Sequence, residues 1–580
     1  MLPLSTSSPS LLPSSSSSSA SDWSLRCYKL RRRCHTRQAQ WRHSPLYRPC
    51  LLVTALVSIL SLAFILLPAP PDASDSSSDY FVKIVFPPPP PPPSSSFSPL
   101  LSDSETPIRT KSAVEVEGKD PNEVRRDAVR EALLHAWTGY AAHAFGHDEV
   151  SPVTNGTNDS WGAFGVTLVD ALDTLHLAFH GWGGEEQKTA IAELWTRAEE
   201  HVRQIDWMVR DYDASFFEMT IRYLGGLLSI HQLSGERMYL LKAEELGERL
   251  ALAFDSPSGV PYSIVNLRSG KTRNPQWNGG NSILSELGSV QLEFGLLSRL
   301  SGNPAFAAAA RAVLSHLHKL PPSPGVPAGL FPVAIDPHTG RASSDAVSFG
   351  GLGDSFYEYL LKQYLLSGRT DLIARDMYLA AVDALKAHLL AVSNDGRKYV
   401  SEMKAGARTG GFDHLVCYVP GMLALGALSI PGRQPDLDLA VDLLDTCISL
   451  YLDQPTGLGP ERVQWHPVDS SGPAYAISSP RYLLRPETLE SIFILYRATH
   501  NGRYREIGWQ IFQSLQKYCR TPAAFSGLRD VTALHSPLDN SMQSFFMAET
   551  LKYLFLLFSP DDLLPLDQYV FNTEAHPFQI

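Results

Sequence analysis

The sequence contains few cysteines and almost no concentrated positive charge. Its six cysteines form no CxxC pair and no Cys/His cluster, so 580 residues offer no zinc-binding pattern. The net charge is −11, and the only basic cluster lies within the first fifty residues. A nucleic-acid partner for the rest of the chain is therefore not expected. Convincing runs of alternating polar and apolar residues are also missing, which disfavours a β-sheet protein.

One long apolar run lies near the N-terminus, at residues 51–67, where 17 residues carry no charge. Residues 1–50 are serine-rich and basic, and we interpret them as a disordered cytoplasmic tail. The positive-inside rule then makes 51–67 a single transmembrane signal anchor of a type II membrane protein, with its body in a lumen. Residues 68–120 are rich in serine and proline and predict an extended lumenal stalk.

A cleaved signal peptide is the alternative interpretation of the same run, because 17 residues are few for a membrane span. The long serine-rich and basic leader and the missing A-x-A cleavage site disfavour it. Two glycosylation sequons, which begin at Asn155 and Asn158, agree weakly with a lumenal body.

Residues 121–580 predict one all-α domain, because apolar residues recur there at three- and four-residue spacing. Seven hydrophobic segments alternate with more charged helical segments, and small-residue turns such as Ser234-Gly235 separate them. Helices that are apolar nearly all round are expected inside, and helices with one polar face outside. The pattern predicts seven helical hairpins in two concentric rings, or an open helical solenoid. The hydrophobic segments are 167–179, 216–233, 283–300, 355–366, 414–428, 486–499 and 543–558.

The predicted inner helices carry acids near their ends, where a buried core should have none. A buried carboxylate is costly unless it is paired or neutralised, so recurrence in at least five helices predicts a shared polar cavity. Single positions also have structural explanations, such as N-caps for Asp354 and Asp413 or an ion pair between Glu218 and Arg222. The acids in question are Glu218, Glu286, Asp354, Asp413, Glu487, Glu490 and Glu549.

A cavity of this kind is suited to a neutral ligand rich in hydroxyl groups. Arg222, Arg485 and His414 add hydrogen-bond donors to the ring of acids, and Phe545 or Trp277 could stack on the apolar face of a sugar.

These segments resemble the class I α-mannosidases, glycoside hydrolase family 47, over roughly residues 127–580. The motifs follow the family's order, and the resemblance implies an (α/α)7 barrel. They are LVDALDTL at 168–175, the Glu218 helix with Gly225-Gly226, GDSFYEYL at 353–360, DHLVC at 413–417, LRPETLES at 484–491 and FNTEAHP at 571–577.

The resemblance implies calcium-dependent, inverting hydrolysis of terminal α-1,2-linked mannose from high-mannose N-glycans. Glu218 matches the family's proposed general acid, while Asp354, Glu487 and Glu461 match further catalytic carboxylates, with Glu487 a candidate base. Thr573 matches the ligand of Ca²⁺. Positions that match contacts to the sugar or to calcium-bound water are Arg222, Glu286, His414, Arg485, Glu490, Phe545 and Glu549.

The resemblance also pairs Cys417 with Cys447 in a disulfide, which leaves Cys519 without a role. Leu352 stands where endoplasmic reticulum members of the family carry an arginine, and leucine there is typical of Golgi members that remove several mannoses. We therefore expect a Golgi membrane enzyme, with the endoplasmic reticulum as the alternative. Two other functions are weighed: a non-catalytic lectin-like relative, which would have lost an acid or Thr573, and a helical scaffold, whose acids would not cluster.

Overall fold

The computed structural model describes residues 120–580 except Gly181 and Gly184. Within these residues no helix is long and apolar enough to cross a bilayer. The predicted cytoplasmic tail, the anchor at 51–67 and nearly all of the stalk lie outside the described residues. The first described helix begins at Pro121, where the Asp120 carboxylate accepts a hydrogen bond from the backbone N–H of Asn122 and caps it.

The described chain is mostly helical, and its long helices alternate between an inner and an outer set. The outer helices are Pro121–His143, Glu185–Gln204, Arg237–Leu250, Pro304–His318, Leu372–Ala384, Pro435–Leu452 and Arg503–Tyr518. The inner helices are Val166–Phe179, Gly225–Ser234, Gln291–Ser301, Asp354–Leu366, Val419–Ser429, Glu487–Thr499 and Leu551–Leu557. Four of the inner helices are preceded directly or within two residues by a short helical segment. These are Phe216–Glu218 with the π-helix Met219–Leu224, Leu284–Gly288, the 3₁₀ helix His414–Tyr418 and the π-helix Phe546–Thr550. The connections contain two further 3₁₀ helices, Ala251–Phe254 and Gln276–Asn278, and one further π-helix, Leu385–Leu389.

The inner helices form a closed ring. Each contacts the next in chain order, and the π-helix Phe546–Thr550 of the seventh contacts the first, Val166–Phe179. The outer helix Pro121–His143 packs on the seventh inner helix, so the first outer helix completes the last hairpin. The predicted hairpins are confirmed, and the closed contacts exclude the open solenoid.

The predicted reversals between paired helices also form. Helices end at Ser234 and Ser301, and Gly235 and Gly302 follow with left-handed backbone. After Glu487–Thr499 the left-handed position is taken by His500 (φ 52°) and not by the nearby Gly502. The predicted third segment, 283–300, is broken at Ser289 and Val290.

Sixteen short strands, which the sequence analysis did not predict, pair antiparallel in small sheets within the described loops. With two to five residues each, they are too short to show an alternating pattern. The three-stranded sheets follow the orders β3-β4-β5 and β12-β13-β14, and the remaining strands pair in twos as β1-β2, β6-β7, β8-β9, β10-β11 and β15-β16. The strands are Glu149–Ser151, Gly156–Asn158, Asp213–Ser215, Ile264–Asn266, Thr272–Arg273, Ser282–Ile283, Ala334–Ile335, Leu390–Val392, Lys398–Val400, Met403–Lys404, Ala407–Arg408, Gly411–Asp413, Arg462–Trp465, Tyr475–Ser479, Tyr569–Phe571 and Pro577–Gln579, numbered β1 to β16 in this order.

Three of these strands lead directly into inner segments that carry predicted site residues. Strand β3 ends at Ser215, β6 ends at Ile283 and β12 ends at Asp413, immediately before the segments of Glu218, Glu286 and His414. The strands therefore fix where those segments begin.

Candidate active site

Most of the predicted acids lie where the inner segments begin. Asp354 and Glu487 are the first residues of their helices, and Glu286 is the third residue of Leu284–Gly288. Glu218 closes the first helical turn after β3, where its backbone N–H donates to the Ser215 hydroxyl at 3.2 Å. Helix beginnings expose free N–H groups, which favour nearby negative charge.

Glu487 is held by a histidine and faces an arginine. The nitrogen Nδ1 of His414 lies 2.7 Å from Glu487 Oε2, and its Nε2 lies 2.6 Å from the Tyr451 hydroxyl. Arg485 Nη1 lies 3.8 Å from Glu487 Oε1. The same guanidinium donates to both oxygens of Glu461 at 2.6–3.1 Å, so a single cation serves two carboxylates.

A second acid–arginine pair is built on the other side of the site. Arg222 Nε donates to Glu218 Oε2 at 2.8 Å, the four-residue spacing that the sequence suggested. The guanidinium also pairs with Glu574 and donates to the Ser544 hydroxyl at 3.1 Å.

Phe545 joins the two acid–arginine pairs. Its ring centroid lies 5.8 Å from the guanidinium carbon of Arg222 and 5.8 Å from that of Arg485. Glu218 and Glu487 therefore belong to one site, although 268 residues separate them along the chain (487 minus 218, less one).

Further acids lie against this centre with few cations to balance them. Lys362 pairs with Glu358 and lies 3.6 Å from Glu490. Glu549 lies within electrostatic range of both Glu487 and Glu490. Glu286 faces the charge of Glu218 in the same way, and one of its carboxylate oxygens is buried without a partner among the described residues.

Thr573 lies in the C-terminal segment, whose strands β15 and β16 pack against inner helices. Its backbone N–H donates to the Tyr359 hydroxyl at 3.3 Å. Within the described part of the chain its hydroxyl and carbonyl oxygens take part in no hydrogen bond. Two oxygens of one residue are thus free for another ligand.

The comparison with known proteins covers this whole helical unit. The model of glycosyl hydrolase family 47 matches residues 132–580. A mannosyl-oligosaccharide 1,2-α-mannosidase of Arabidopsis thaliana is 41% identical over 471 residues, which are 80% of either chain. The endoplasmic reticulum mannosyl-oligosaccharide 1,2-α-mannosidase of Mus musculus is 41% identical over 82% of this chain and 70% of its own.

The chain belongs to glycosyl hydrolase family 47.

A solved structure agrees with this assignment. The α-1,2-mannosidase from Trichoderma reesei superposes with a TM-score of 0.73 at 30% sequence identity, covering 80% of this chain and 100% of its own. The predicted family membership and the prediction of a glycoside hydrolase are confirmed. The clustering of the acids also excludes the plain scaffold.

The Gly225-Gly226 pair of the family 47 motif has a packing reason. A Cβ atom on Gly225 would lie 2.7 Å from Asn572 Nδ2, and one on Gly226 would lie 2.9 Å from the carbonyl oxygen of Val169. Both glycines therefore let the second inner helix approach its neighbours, including the C-terminal segment that carries Thr573.

Two cysteine predictions can be compared with the structure. Cys417 and Cys447 form the predicted disulfide, which joins the segment of His414 to the outer helix of Tyr451. Cys519 is a buried free thiol, and burial raises its pKa far above the usual range. Trp277 is 70% exposed. Its predicted stacking on a sugar stays a prediction.

The carboxyl groups of the site differ in their pKa values. Burial, together with the charges of Asp413, Glu358 and Glu487, raises the pKa of Asp354 to about 8. Burial alone would raise the pKa of Glu487 as well, but the hydrogen bond from His414 and the charge of Arg485 lower it. At neutral pH Asp354 therefore holds a proton and Glu487 does not.

Sequence reasoning missed a second set of polar side chains, which adjoins the site at Arg222. Asp170, Asp173, Lys552 and His576, named here the inner ion cluster, are completely buried. His576 lies 2.8 Å from Asp173 and 3.1 Å from Asp170, and Lys552 Nζ lies 2.9 Å from Asp173. The available signal was a charged residue inside an otherwise apolar helix, in 166–179 and again in 551–557.

Proposed function

We propose that this family 47 enzyme removes terminal α-1,2-linked mannose from high-mannose N-glycans of glycoproteins. The observation that carries the proposal is the convergence of Glu218–Arg222 and Glu461–Arg485–Glu487 on Phe545. Carboxylate and guanidinium groups bind sugar hydroxyls, and an aromatic ring packs on the apolar face of a sugar. The similar proteins from Arabidopsis thaliana and Mus musculus are mannosyl-oligosaccharide 1,2-α-mannosidases, which agrees with this substrate.

The reaction proposed is an inverting hydrolysis. One carboxylic acid protonates the departing oxygen while a carboxylate activates water on the opposite face of the ring, with the two groups about 6.5–9.5 Å apart. Glu487 fits the base, because His414 and Arg485 keep it ionised. Glu218 and Asp354 are the two candidates for the acid, and the raised pKa of Asp354 supplies a proton near neutral pH. Glu461 fixes Arg485 beside the base.

The remaining predicted residues would hold the sugar. Arg222, Arg485 and Phe545 line the centre. The hydrogen-bonding groups that surround it are those of Glu286, His414, Glu490 and Glu549, and the pKa values of the three glutamates are raised.

Calcium is part of the proposal. Within the described chain no group of three or more His, Cys, Asp or Glu side chains is arranged to hold a metal. The free hydroxyl and carbonyl oxygens of Thr573 are hard ligands of the type that Ca²⁺ prefers. Waters and sugar hydroxyls would have to complete the six to eight ligands. A bound calcium ion would supply positive charge beside an excess of carboxylates.

Leu352 supports a specificity for several mannoses. Its side chain is 42% exposed, and its backbone is left-handed (φ 74°) between Gly351 and Gly353, two residues before Asp354. A short apolar side chain at this place leaves more room beside the acids than an arginine would. We therefore propose Golgi-type trimming by a type II Golgi membrane protein, with the endoplasmic reticulum as the alternative address.

The test is digestion of a nine-mannose glycan by the purified lumenal part, residues 121–580, with and without a calcium chelator. We expect stepwise loss of α-1,2-linked mannose, inversion at the released sugar and abolition by chelation. Leu352→Arg is expected to stop the reaction after fewer mannoses without abolishing the first cleavage. Activity that survives chelation would remove calcium from the proposal, and release of other linkages would overturn the substrate.

A further inference from the structure

The hairpin formed by strands β1 and β2 carries two consecutive glycosylation sequons. Asn155-Gly156-Thr157 occupies its turn and the start of β2, and Asn158-Asp159-Ser160 begins where β2 ends. Both asparagines are exposed. An N-linked glycan is attached to the side-chain nitrogen of asparagine, so the two sites differ by what that nitrogen already does.

The side chain of Asn158 is used by the fold. Its Nδ2 donates to Glu149 Oε2 at 3.1 Å and to the Ser160 hydroxyl at 3.2 Å. Glu149 is almost completely buried, and its hydrogen-bond donors are Asn158, the backbone of Ser544 and Trp161, whose Nε1 lies 3.3 Å away. A sugar on Asn158 would replace one of the two hydrogens of this nitrogen. The loss of a hydrogen-bond donor to a buried carboxylate costs free energy.

The side chain of Asn155 has no comparable task. It lies at the turn with left-handed backbone (φ 56°), and within the described residues its amide makes no hydrogen bond. Its neighbours hold the turn in place, because the backbone N–H groups of Val153 and Thr154 donate to Asn540 Oδ1 at 2.8 and 3.2 Å. A glycan at this position would disturb no contact of the hairpin.

We propose that Asn155 carries an N-linked oligosaccharide and that Asn158 does not. The proposal rests on the lumenal location proposed above. The glycan would be attached to a hairpin that borders the candidate site, since Trp161, just beyond β2, lies 5.4 Å from the guanidinium carbon of Arg222.

The test uses the full chain produced in eukaryotic cells, with an additional acceptor sequon appended after Ile580 as a reporter of lumenal location. Thr157→Ala removes only the first natural sequon and Ser160→Ala only the second. We expect one enzymatically removable glycan beyond the reporter's, found by peptide mass spectrometry at Asn155, lost in Thr157→Ala and kept in Ser160→Ala.

A modified reporter with an unmodified Asn155, or a glycan that survives Thr157→Ala, would overturn the proposal. An unmodified reporter would overturn it together with the lumenal location. Mannosidase activity is measured on the same preparations, so failure of the proposed function is seen separately.

A different observation, the hydrogen-bonded chain Tyr451–His414–Glu487, supports a second inference. Burial raises the pKa of Tyr451 well above its usual range, so its neutral hydroxyl can donate to Nε2 of His414. The other nitrogen, Nδ1, then carries the hydrogen that points at Glu487. The Thr488 hydroxyl, 3.3 Å from Nε2, is the only further partner of this ring among the described residues.

The disulfide fixes this arrangement from outside the ring. Cys417 lies three residues after His414, and Cys447 lies four residues before Tyr451 on the outer helix Pro435–Leu452. The covalent bond therefore holds together the two segments whose side chains meet at His414. We infer that Tyr451 is a positioning residue that sets the tautomer of His414 and thereby the orientation of Glu487, which rests on the role proposed for Glu487.

The test compares Tyr451→Phe with Tyr378→Phe, another buried tyrosine, whose hydroxyl lies 3.4 Å from the carbonyl oxygen of Met422. We expect Tyr451→Phe to lower kcat roughly fivefold with KM unchanged, the size of one hydrogen bond. The acidic limb of the kcat/KM profile should also move to higher pH. The other charged groups that face Glu487 are Arg485, Asp354, Glu490 and Glu549, and they are the same in both variants.

An acidic limb that does not move, or an equal loss in Tyr378→Phe, would leave Tyr451 with a packing role only and overturn the inference. A wild-type enzyme without activity on α-1,2-linked mannose would instead overturn the proposed function.

Discussion

The inner ion cluster and the candidate site both bury acids, but the two regions balance the charge of those acids in opposite ways. In the cluster, two carboxylates face Lys552 and His576, and Arg222 of the site lies 3.6 Å from Asp170 as well. Burial would raise the pKa of Asp173, but the charges of Lys552 and His576 outweigh it and lower the value well below the usual range. In the site, the acids outnumber the cations, and burial with mutual repulsion raises the pKa of Asp354 and of Glu490 to about 8.

This difference separates a structural use of charge from a functional one. A buried pair that is complete stabilises one arrangement and has nothing left to offer a ligand. Buried acids with too few neighbouring cations are tolerated only in two cases. Either they hold protons, or a bound ligand supplies positive charge and hydrogen bonds. We therefore expect substitutions in the inner ion cluster to change stability, and substitutions in the site to change activity.

The largest expected effect is that of Glu487→Gln. The amide keeps the size of the side chain but cannot accept a proton from water, so kcat should fall by about 100- to 10,000-fold. The measurement is release of mannose from a nine-mannose glycan, with circular dichroism to show that the fold is intact. Retention of more than a tenth of the activity would assign the base to another carboxylate.

The next prediction compares one substitution in each region, Asp173→Asn in the inner ion cluster and Asp354→Asn in the site. Asp173→Asn leaves Lys552 buried without its counter-charge and His576 with Asp170 alone, and it should lower the free energy of unfolding by about 3–5 kcal/mol. The molecules that remain folded should keep their kcat. Asp354→Asn should lower kcat and leave the free energy of unfolding nearly unchanged. Stability is kept because the amide resembles the protonated acid that is already present at neutral pH.

Urea unfolding and initial rates on both variants measure the two effects. If Asp173→Asn reduced kcat more than stability, the inner ion cluster would have to be counted with the reaction. If Asp354→Asn were strongly destabilising, the acid would be a structural one.

The hairpins were predictable from the sequence because apolar segments of 12 to 18 residues recur along it, and several of them end at a turn with small residues. Ser234-Gly235 and Ser301-Gly302 illustrate this, since the helices end where the turns predict. The closing contact was not predictable, because it joins Val166–Phe179 to Phe546–Thr550 across nearly the whole domain. Periodicity reports which face of a helix is buried and not which neighbour buries it.

The site was predictable as a set of residues and only partly as a geometry. Acids such as Glu286 and Glu549 stand out because they interrupt apolar helices. The partners of His576 did not stand out, because Asp170 and Asp173 lie about 400 residues away and only the folded chain brings them together. The position of Phe545 between Arg222 and Arg485 has no local signal for the same reason.

The last expected effect concerns pH, measured on protein freed of metal by a chelator. An acid whose pKa is raised on folding holds its proton more tightly in the folded chain than in the unfolded chain. As the pH rises from about 4, the usual pKa of aspartate, the unfolded chain loses the proton first, so the contribution of Asp354 to stability declines until the pH passes about 8. The lowered pKa of Asp173 gives the opposite sign, a contribution that is present above the usual value and is lost only in strong acid.

The difference between Asp354→Asn and wild type isolates this term, because the amide has no proton to lose. We expect the urea midpoint of the variant to rise relative to wild type as the pH increases from 5 to 8. For Asp173→Asn the aspartate itself gives no slope over that range, since it is ionised in both states of the wild-type chain. Any slope in that variant would come from His576, whose pKa is raised by Asp173. A difference for Asp354→Asn that does not change with pH would mean that Asp354 is already ionised in the folded protein. The proton proposed for the reaction would then have to come from Glu218.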